Sequence, residues 1–551
     1  MNDSTRPYWE RWAERPRTRR RFLVGASAAA LGTAALGLVG CGDDDDEQEG
    51  TGPTTQPTGA AGAPKAGGEL LIAYGLEPSS LDPHAGVSGG DHFFFEDMFN
   101  FLVAHDAGNE LDASISLAES WQIEDEQTIV FNLRQGVQFH DGSPFDSEIV
   151  AWNIERVKDP DTKSTARSTF LVVDRVETPD PQTARFILTE PSAGLLSLLG
   201  GRGGAIVSRQ AVETLGEEFR STPVGTGPFA FDEWLPGGHV KMKKNPSYWR
   251  TDAAGIPTPY LDRVTIRIIP DSTAALAALQ TGDVHLGGID PQDLEQVKSI
   301  ADIQVIQREG SGIASQIIMN RQAPPSDNLD FRRAVMHAVD PQALLQSVFF
   351  GNAIVADGGM WPPGTWAYKP VASRPTYDPA KAKQYLEASG VTDTDLDLMT
   401  WESRTIIQQG EVYQEQLRQV GIKSQITTLA VGPATQAFFE GTDYEMYTTS
   451  WSLYPEPDWI ANTIYDEAAY YNTGKSQTSE VTSLIKQGRA EYDTEKRKEI
   501  YQQMAELVIA DMYHVPMVYG ISNAGVRSNI HNAEKLFNGE AKWNYRDLWI
   551  A

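Results

Sequence analysis

A single cysteine, Cys41, stands at the end of the one long uncharged apolar run in this chain, roughly Phe22 to Val39. One thiol permits no internal disulfide and no metal or iron–sulfur site built on several thiolates. The fold must therefore be held by a hydrophobic core, and 551 residues at 40% hydrophobic content can build one, divided among two or three domains.

The apolar run follows Thr18-Arg19-Arg20-Arg21-Phe22-Leu23. Basic residues ahead of a short apolar stretch make an export signal. At about 18 residues, rich in Gly and Ala, the run reaches only the lower limit for a membrane span. Residues 1–40 are thus expected to be a removable signal peptide. The paired arginines resemble the twin-arginine signal, and the general secretory route stays open. Leu38-Val39-Gly40-Cys41 resembles a bacterial lipobox, which implies lipidation of Cys41 and an anchor of several acyl chains. Residues 41–67 hold an aspartate run and then Gly, Pro, Thr and Ala. They cannot form a core and read as a flexible tether. The aspartates lack the spacing and turn glycine of a calcium loop.

Formal net charge is −29, although residues 1–40 are net positive. The acidic body disfavours nucleic acid, and leaves the lipid anchor as its one link to the membrane.

Beyond the tether, strand and helix signals alternate. Glu69–Tyr74 reads as a strand, and residues 92–102 as a helix. Thr128–Arg134 alternates as a half-buried strand, and Asp146 caps a helix to about Val157. Val264–Ile269 is a strand followed by a helix capped by Asp271. From Ser315 the rhythm sharpens. Strands are expected at 315–320, 396–400, 423–428 and 445–451. Helices are expected at 331–339, from Asp340-Pro341, from Asp378-Pro379 to Gly390, at 406–420 and at 494–512. This is an α/β fold with mixed sheets. Fixed-period repeats are missing, which argues against a solenoid or propeller.

Several stretches are similar to one family, the dipeptide, oligopeptide and nickel-binding class of ABC-importer solute-binding proteins. Residues 117–156 resemble its most specific signature, through Phe139-His140-Asp141-Gly142. Pro223-Val-Gly-Thr-Gly-Pro-Phe229 with Lys244-Asn-Pro-Ser-Tyr-Trp249 is a second match, and Phe331-Arg-Arg-Ala-Val-Met-His-Ala-Val-Asp340 a third. Pro78–Pro83 and Tyr377-Asp378-Pro379 add to them. The matches run in family order over about residues 68–550.

The resemblance implies a two-lobed periplasmic-binding-protein-like fold with a hinge and an extra α+β subdomain. Lobe I would comprise residues 68–105, 222–312 and 524–551, the subdomain 106–221, and lobe II 313–523, with the hinge near Ser311 and Asn523. It implies a lipid-anchored monomer outside the cell, closing over a small solute and delivering it to permease subunits. The signature motifs read as structural. His140-Asp141-Gly142 is a turn ahead of a capped helix. The Gly225–Pro228 loop lacks the lysine and Ser/Thr of a phosphate-binding loop.

In this family an extended ligand pairs with a lobe I loop and a lobe II strand end. The matching residues are Val87, Ser88 and Gly89, and Trp451 with Leu453 and Tyr454. Peptide-binding members carry an amine-pairing aspartate just after that tryptophan. Here Leu453 and Tyr454 occupy the place, one residue is deleted, and Glu456 aligns with a later acidic position. An ordinary peptide ligand is thereby in doubt. Trp361 and Trp401 are further candidates for the cleft, with Trp366 and Trp459 reading as core; aromatic faces suit sugars, aromatic or cationic solutes. The nine histidines are dispersed, so neither a metal site nor a cofactor is expected. A secreted hydrolase lacks support, with no cysteine nucleophile or zincin motif in the folded body. A sensory receptor without transport remains an alternative.

Overall fold

The computed structural model describes residues 63–107, 110–308, 313–452, 456–474, 478–537 and 542–551. The leader, Cys41, most of the tether, Ser311, Leu453 and Tyr454 lie outside the described residues. Along the chain, β1 (Glu69–Tyr74) buries Leu70 and Ile72 completely. The next four strands, β2 (Ala118–Asp125), β3 (Thr128–Leu133), β4 (Val173–Asp180) and β5 (Thr183–Leu188), form an antiparallel sheet of order β2-β3-β5-β4. Helix α1 (Ser147–Lys158) covers it, capped by Asp146, whose side chain accepts from the Ile149 amide at 3.1 Å. Phe131 and Phe186 meet edge to face in its core, with ring centres 4.9 Å apart.

The chain then lays down β6 (Phe229–Leu235), β7 (His239–Lys244), β8 (Arg263–Ile268), helix α2 (Ser272–Thr281), β9 (Leu286–Gly288) and β10 (Ile303–Arg308). The six-stranded sheet follows. It contains β11 (Ile313–Met319), β12 (Ala353–Val355), β13 (Asp395–Trp401), β14 (Lys423–Leu429), β15 (Met446–Ser452) and β16 (Pro516–Gly520), in the order β12-β16-β11-β15-β13-β14. Its helices include α3 (Leu329–Ala338), α4 (Pro379–Ser389), α5 (Arg404–Val420), α6 (Ser479–Ala490) and α7 (Thr494–Ala510). Finally β17 (Ser522–Arg527) returns to the first sheet, completing seven strands in the order β10-β17-β9-β1-β8-β7-β6.

Both large sheets are mixed. In the first, β1 runs parallel to β8 and β9, while β17 is antiparallel to β9 and β10. In the second, β13 and β14 are parallel and joined by α5, the helical crossover that parallel neighbours require. Gly421 closes α5 at φ +102°. Consecutive strands β10 and β11 belong to different sheets, as do β16 and β17 on either side of Ile521, and the strands that flank the two crossings are neighbours: β10 beside β17, β11 beside β16. Each sheet carries its own hydrophobic cluster, and residues 64–551 form one compact unit.

One expected helix is mostly absent. Residues 92–102 form a helical turn over His92–Phe95 and then straighten. Here the carbonyls of Asp97, Met98 and Asn100 accept from the amides of Phe229, Gly227 and Ile206, each at 3.0 Å. Phe94, Phe95, Met98, Phe99 and Leu102 are all buried, and so are the polar His92, Asp97 and Asn100, so the segment turns no face to solvent as a surface helix would.

The family signatures bind one another. The Gly225 amide donates to His140 Nδ1 at 3.2 Å, and His140 Nε2 donates to the Gly227 carbonyl at 3.0 Å. Arg332, in the third motif, is buried and donates to the carbonyls of Ser326, Asp327 and Asp511 and to the Asp511 carboxylate.

Candidate functional site

A cavity of about 460 Å³ lies between the seven- and six-stranded sheets, with Thr165, Ala166 and Arg202 reaching it from the segment between β3 and β6. Its size falls within the range of small-molecule sites.

The first wall is the loop after β1. Val87, Ser88, Gly89 and Gly90 border the cavity. The loop is wound around Asp91, which accepts from the amide and hydroxyl of Ser79, both at 2.7 Å, and from the Ser88 amide at 3.1 Å. Asp91 is completely buried, and burial pushes its carboxyl above its ordinary range, against the opposing pull of Arg202 and the Ser79 and Ser88 donors. Arg202 forks over the loop. One guanidinium nitrogen donates to the Gly86 carbonyl, and the other to that of Ser88 at 2.6 Å; the latter nitrogen also stands 3.8 Å from Asp91. These contacts occupy much of the polar backbone that would otherwise pair with an extended ligand.

The opposite wall is β15 and the segment after it. Tyr447, Thr449 and Trp451 alternate toward the cavity, as period-2 strand geometry requires. The Trp451 ring stands edge-on to Tyr471 at 4.6 Å and lies 5.8 Å from Phe439. Trp401, at the end of β13, and Trp459 also border the cavity. Tyr471 donates its hydroxyl to the Val87 carbonyl at 3.1 Å, joining the two walls. At the edge, Arg404 opens α5 and faces Asp290 at 4.0 Å and Asp293 at 3.6 Å. On the first-sheet side, Lys542 pairs with Glu96 at 3.4 Å, and His92 touches the same carboxylate at 2.5 Å.

Trp361 does not border the cavity. It is 2% exposed in the core of the six-stranded lobe, its ring 5.7 Å from that of Tyr501 and 6.4 Å from that of Tyr465. Burying the large ring between helix and loop is its packing solution, in place of the expected ligand contact. Trp366 packs nearby, 5.8 Å from Tyr501 and under the Arg497 guanidinium at 5.2 Å. Glu456 caps the helical turn Pro457–Ile460 and pairs with Arg497 at 2.6 Å. Leu453 and Tyr454 lie outside the described residues.

Arg202 and Tyr471 were not evident from the sequence. Arg202 lies in Leu198-Leu199-Gly200-Gly201-Arg202-Gly203-Gly204, a lone cation in an apolar, glycine-rich stretch, which is the signal that could have marked it. Together these groups can hold a small solute by an apolar part against Trp451, Tyr471 and Phe439 and a polar part near Arg404, Asp290 and Ser450. Among the described residues, no group of three or more His, Cys, Asp or Glu side chains is placed to hold a metal ion.

A cleft between two mixed sheets, crossed twice by neighbouring strands, is the architecture of a bacterial binding protein for small solutes. Residues 114–472 match the model of the bacterial extracellular solute-binding proteins, family 5 (middle), and the chain belongs to this family. The glutathione-binding protein GsiB of Escherichia coli K12 is 28% identical over 505 residues, covering 88% of this chain and 92% of the relative. The periplasmic binding protein DppA of Helicobacter pylori, solved with the peptide STSA, superposes with a TM-score of 0.79 at 25% identity, over 88% of this chain and 98% of that one. The oligopeptide-binding protein AppA of Bacillus subtilis, solved with a nonapeptide, has the same fold, with a TM-score of 0.80 at 23% identity over 89% of this chain and 100% of that one. All three are named as binding proteins, and that of Helicobacter pylori as associated with an ABC transporter.

Proposed function

We propose that this protein captures a small solute outside the cell, closes over it by hinge motion at the two crossings, and hands it to the permease subunits of an ABC importer. The observation that carries this reading is the cavity of about 460 Å³ between the sheets, bridged by Tyr471 and Val87. The closing bodies would be residues 68–105, 222–312 and 524–551 with the subdomain 106–221 on one side, and 313–523 on the other. Val87, Ser88, Gly89, Trp401 and Trp451 would contact the solute, with Leu453 and Tyr454 at the neighbouring strand end. The protein would act by binding alone, as a monomer, without a cofactor.

The solute would be peptide-like or another small molecule with an aromatic or apolar part. Glutathione and short peptides are the first probes, given the ligands named for the relatives. Residues 1–40 would be removed on export and Cys41 lipidated, holding the body at the membrane surface. No helix among the described residues is long and apolar enough to cross a membrane.

The deciding experiment is identification of the solute that co-purifies with the native protein, followed by calorimetry and by uptake assays in a deletion strain. Unchanged uptake would sink the transport reading. Sub-micromolar binding of peptides through a free amine would refute the proposed lack of an amine anchor at Leu453 and Tyr454. Mass spectrometry that finds Cys41 unmodified in the mature protein would remove the lipid anchor.

A further inference from the structure

A second set of contacts joins the two sides of the molecule away from Tyr471 and Val87. The Ala193 amide donates to the Arg489 carbonyl at 2.8 Å. The Arg489 guanidinium pairs with Glu190 at 3.2 Å. The Tyr492 hydroxyl donates to the Glu126 carbonyl at 2.9 Å. Glu126, Glu190 and Ala193 precede the crossing from β10 to β11, whereas Arg489 and Tyr492 lie between the crossings. Any opening about the crossings must break these contacts. The four-stranded sheet, in turn, is tied to the seven-stranded side by Arg156 on Asp82 at 2.5 Å and by His140 on the Gly225–Gly227 loop. It would therefore move with that side.

Gly194, next to Ala193, leaves no room for a side chain at this contact. A methyl placed on it would lie 3.0 Å from Asp458 Cβ and 3.3 Å from Arg497 Nη2. Its own backbone, φ −80° and ψ −13°, suits any residue, so the glycine answers to the neighbour across the contact and not to a strained turn. Beneath it, Asp458 is completely buried. One carboxylate oxygen accepts from Tyr501 at 3.2 Å. The other has no hydrogen-bond partner among the described residues, with Arg489 Nε at 4.0 Å. Leaving a buried carboxylate oxygen unmatched is costly, and opening would return it to water. The seated state thus needs compensating bonds, and Ala193, Glu190 and Tyr492 supply them. Trp459, next in sequence to Asp458, borders the cavity, as do Thr165 and Ala166 from the opposite side.

We propose that Glu190–Gly194 is a clasp that seats on Asp458 and α6 and holds the molecule closed, separately from the Tyr471–Val87 contact. This goes beyond the solute-binding reading, and its test requires no solute.

Spin labels at Gln127→Cys, next to Glu126, and Lys486→Cys, both exposed positions, report the separation across the clasp by pulsed electron resonance, in the full chain carrying Cys41→Ser. The wild-type background is expected to show a short, narrow distance population. Gly194→Val adds bulk at the contact and is expected to shift the closed-to-open ratio roughly tenfold toward open. The double variant Glu190→Gln with Tyr492→Phe adds no bulk, and decides the matter if Gly194→Val fails to fold. Its loss of an ion pair and a hydrogen bond is expected to shift the ratio in the same direction, by roughly three- to tenfold. A wild-type sample without the short population overturns the clasp. So does a double variant with the wild-type distribution, whatever solute the protein binds.

Discussion

Tyr471 donates its hydroxyl proton to the carbonyl oxygen of Val87 across 3.1 Å, so that an aromatic of the six-stranded side holds the loop of the seven-stranded side. The same ring packs on Trp451 at 4.6 Å and on Phe439 at 5.2 Å. Removing the hydroxyl should separate the two roles. Tyr471→Phe keeps the aromatic wall and loses one hydrogen bond, worth about 0.5–1.5 kcal/mol. The expected outcome is faster release of the co-purified solute, by up to roughly tenfold, with the unfolding midpoint nearly unchanged. Stopped-flow fluorescence against urea unfolding checks it.

Arg202 serves the loop from behind. Arg202→Ala would leave Asp91 buried without its cation and two carbonyls, those of Gly86 and Ser88, without donors. Breaking a buried charged contact by removing one partner costs about 3–5 kcal/mol. Arg202→Lys should recover only part of that, because an ammonium cannot fork across two carbonyls in one plane. Urea denaturation of the three proteins gives the order: wild type, then Lys, then Ala. Solute affinity should follow the same order, since the loop is a cavity wall.

Helices and strands of the six-stranded side were legible in the sequence because each begins with a physical signal. Asp378 caps α4 and Pro379 opens it, and Gly390 ends it at φ +69°. The segment 92–102 misled because its apolar residues are buried on every side and its carbonyls are taken by Phe229, Gly227 and Ile206, partners more than a hundred residues away. The loop Val87–Gly89 and the strand carrying Trp451 could be picked out as cavity candidates through the family resemblance. Trp361 could not be separated from Trp401 by composition, since a large ring packs equally well in a core or a cleft. Arg202 and Tyr471 matter through what they touch across the fold, which no local pattern encodes.

His140 should give a pH signature of the fold. Its Nδ1 accepts from the Gly225 amide and its Nε2 donates to the Gly227 carbonyl, so the folded chain requires the neutral ring. Burial, with Lys243 adding to it, lowers the pKa from 6.5 to about 4, against the opposing pull of the Gly227 carbonyl and Asp141. The folded pKa lies below the unfolded one. The contribution is therefore complete above pH 6.5 and is lost as the pH falls from there toward 4. His140→Gln keeps a donor and an acceptor and does not titrate. The stability gap between wild type and this variant should shrink on acidification, by up to about 1.4 kcal/mol per pH unit within that window. Denaturant unfolding at a series of pH values measures it, and a gap that widens would contradict the neutral-ring assignment.

The glycines of the second signature make the sharpest contrast. A methyl on Gly225 would sit 2.2 Å from the Met98 carbonyl oxygen, and one on Gly227 2.4 Å from the Met98 carbonyl carbon. Both obstacles are backbone and cannot rotate away. Gly142, in the first signature, is instead held at φ +83° with nothing within 4 Å of the added carbon. Gly142→Ala should therefore cost about 1–2 kcal/mol, the price of a left-handed residue alone. Gly225→Ala and Gly227→Ala should exceed the roughly 3 kcal/mol typical of severe overpacking, or prevent folding. Inorganic phosphate added during unfolding separates this account from a phosphate-loop reading of the same residues. A loop shaped to admit the Met98 backbone has no reason to bind the anion, so the wild-type midpoint should not move with phosphate beyond its shift in sulfate of equal ionic strength. A specific gain in phosphate that disappears in Gly227→Ala would assign the glycines to a ligand, while the predicted ordering of the three alanine variants assigns them to the seam between the two signatures.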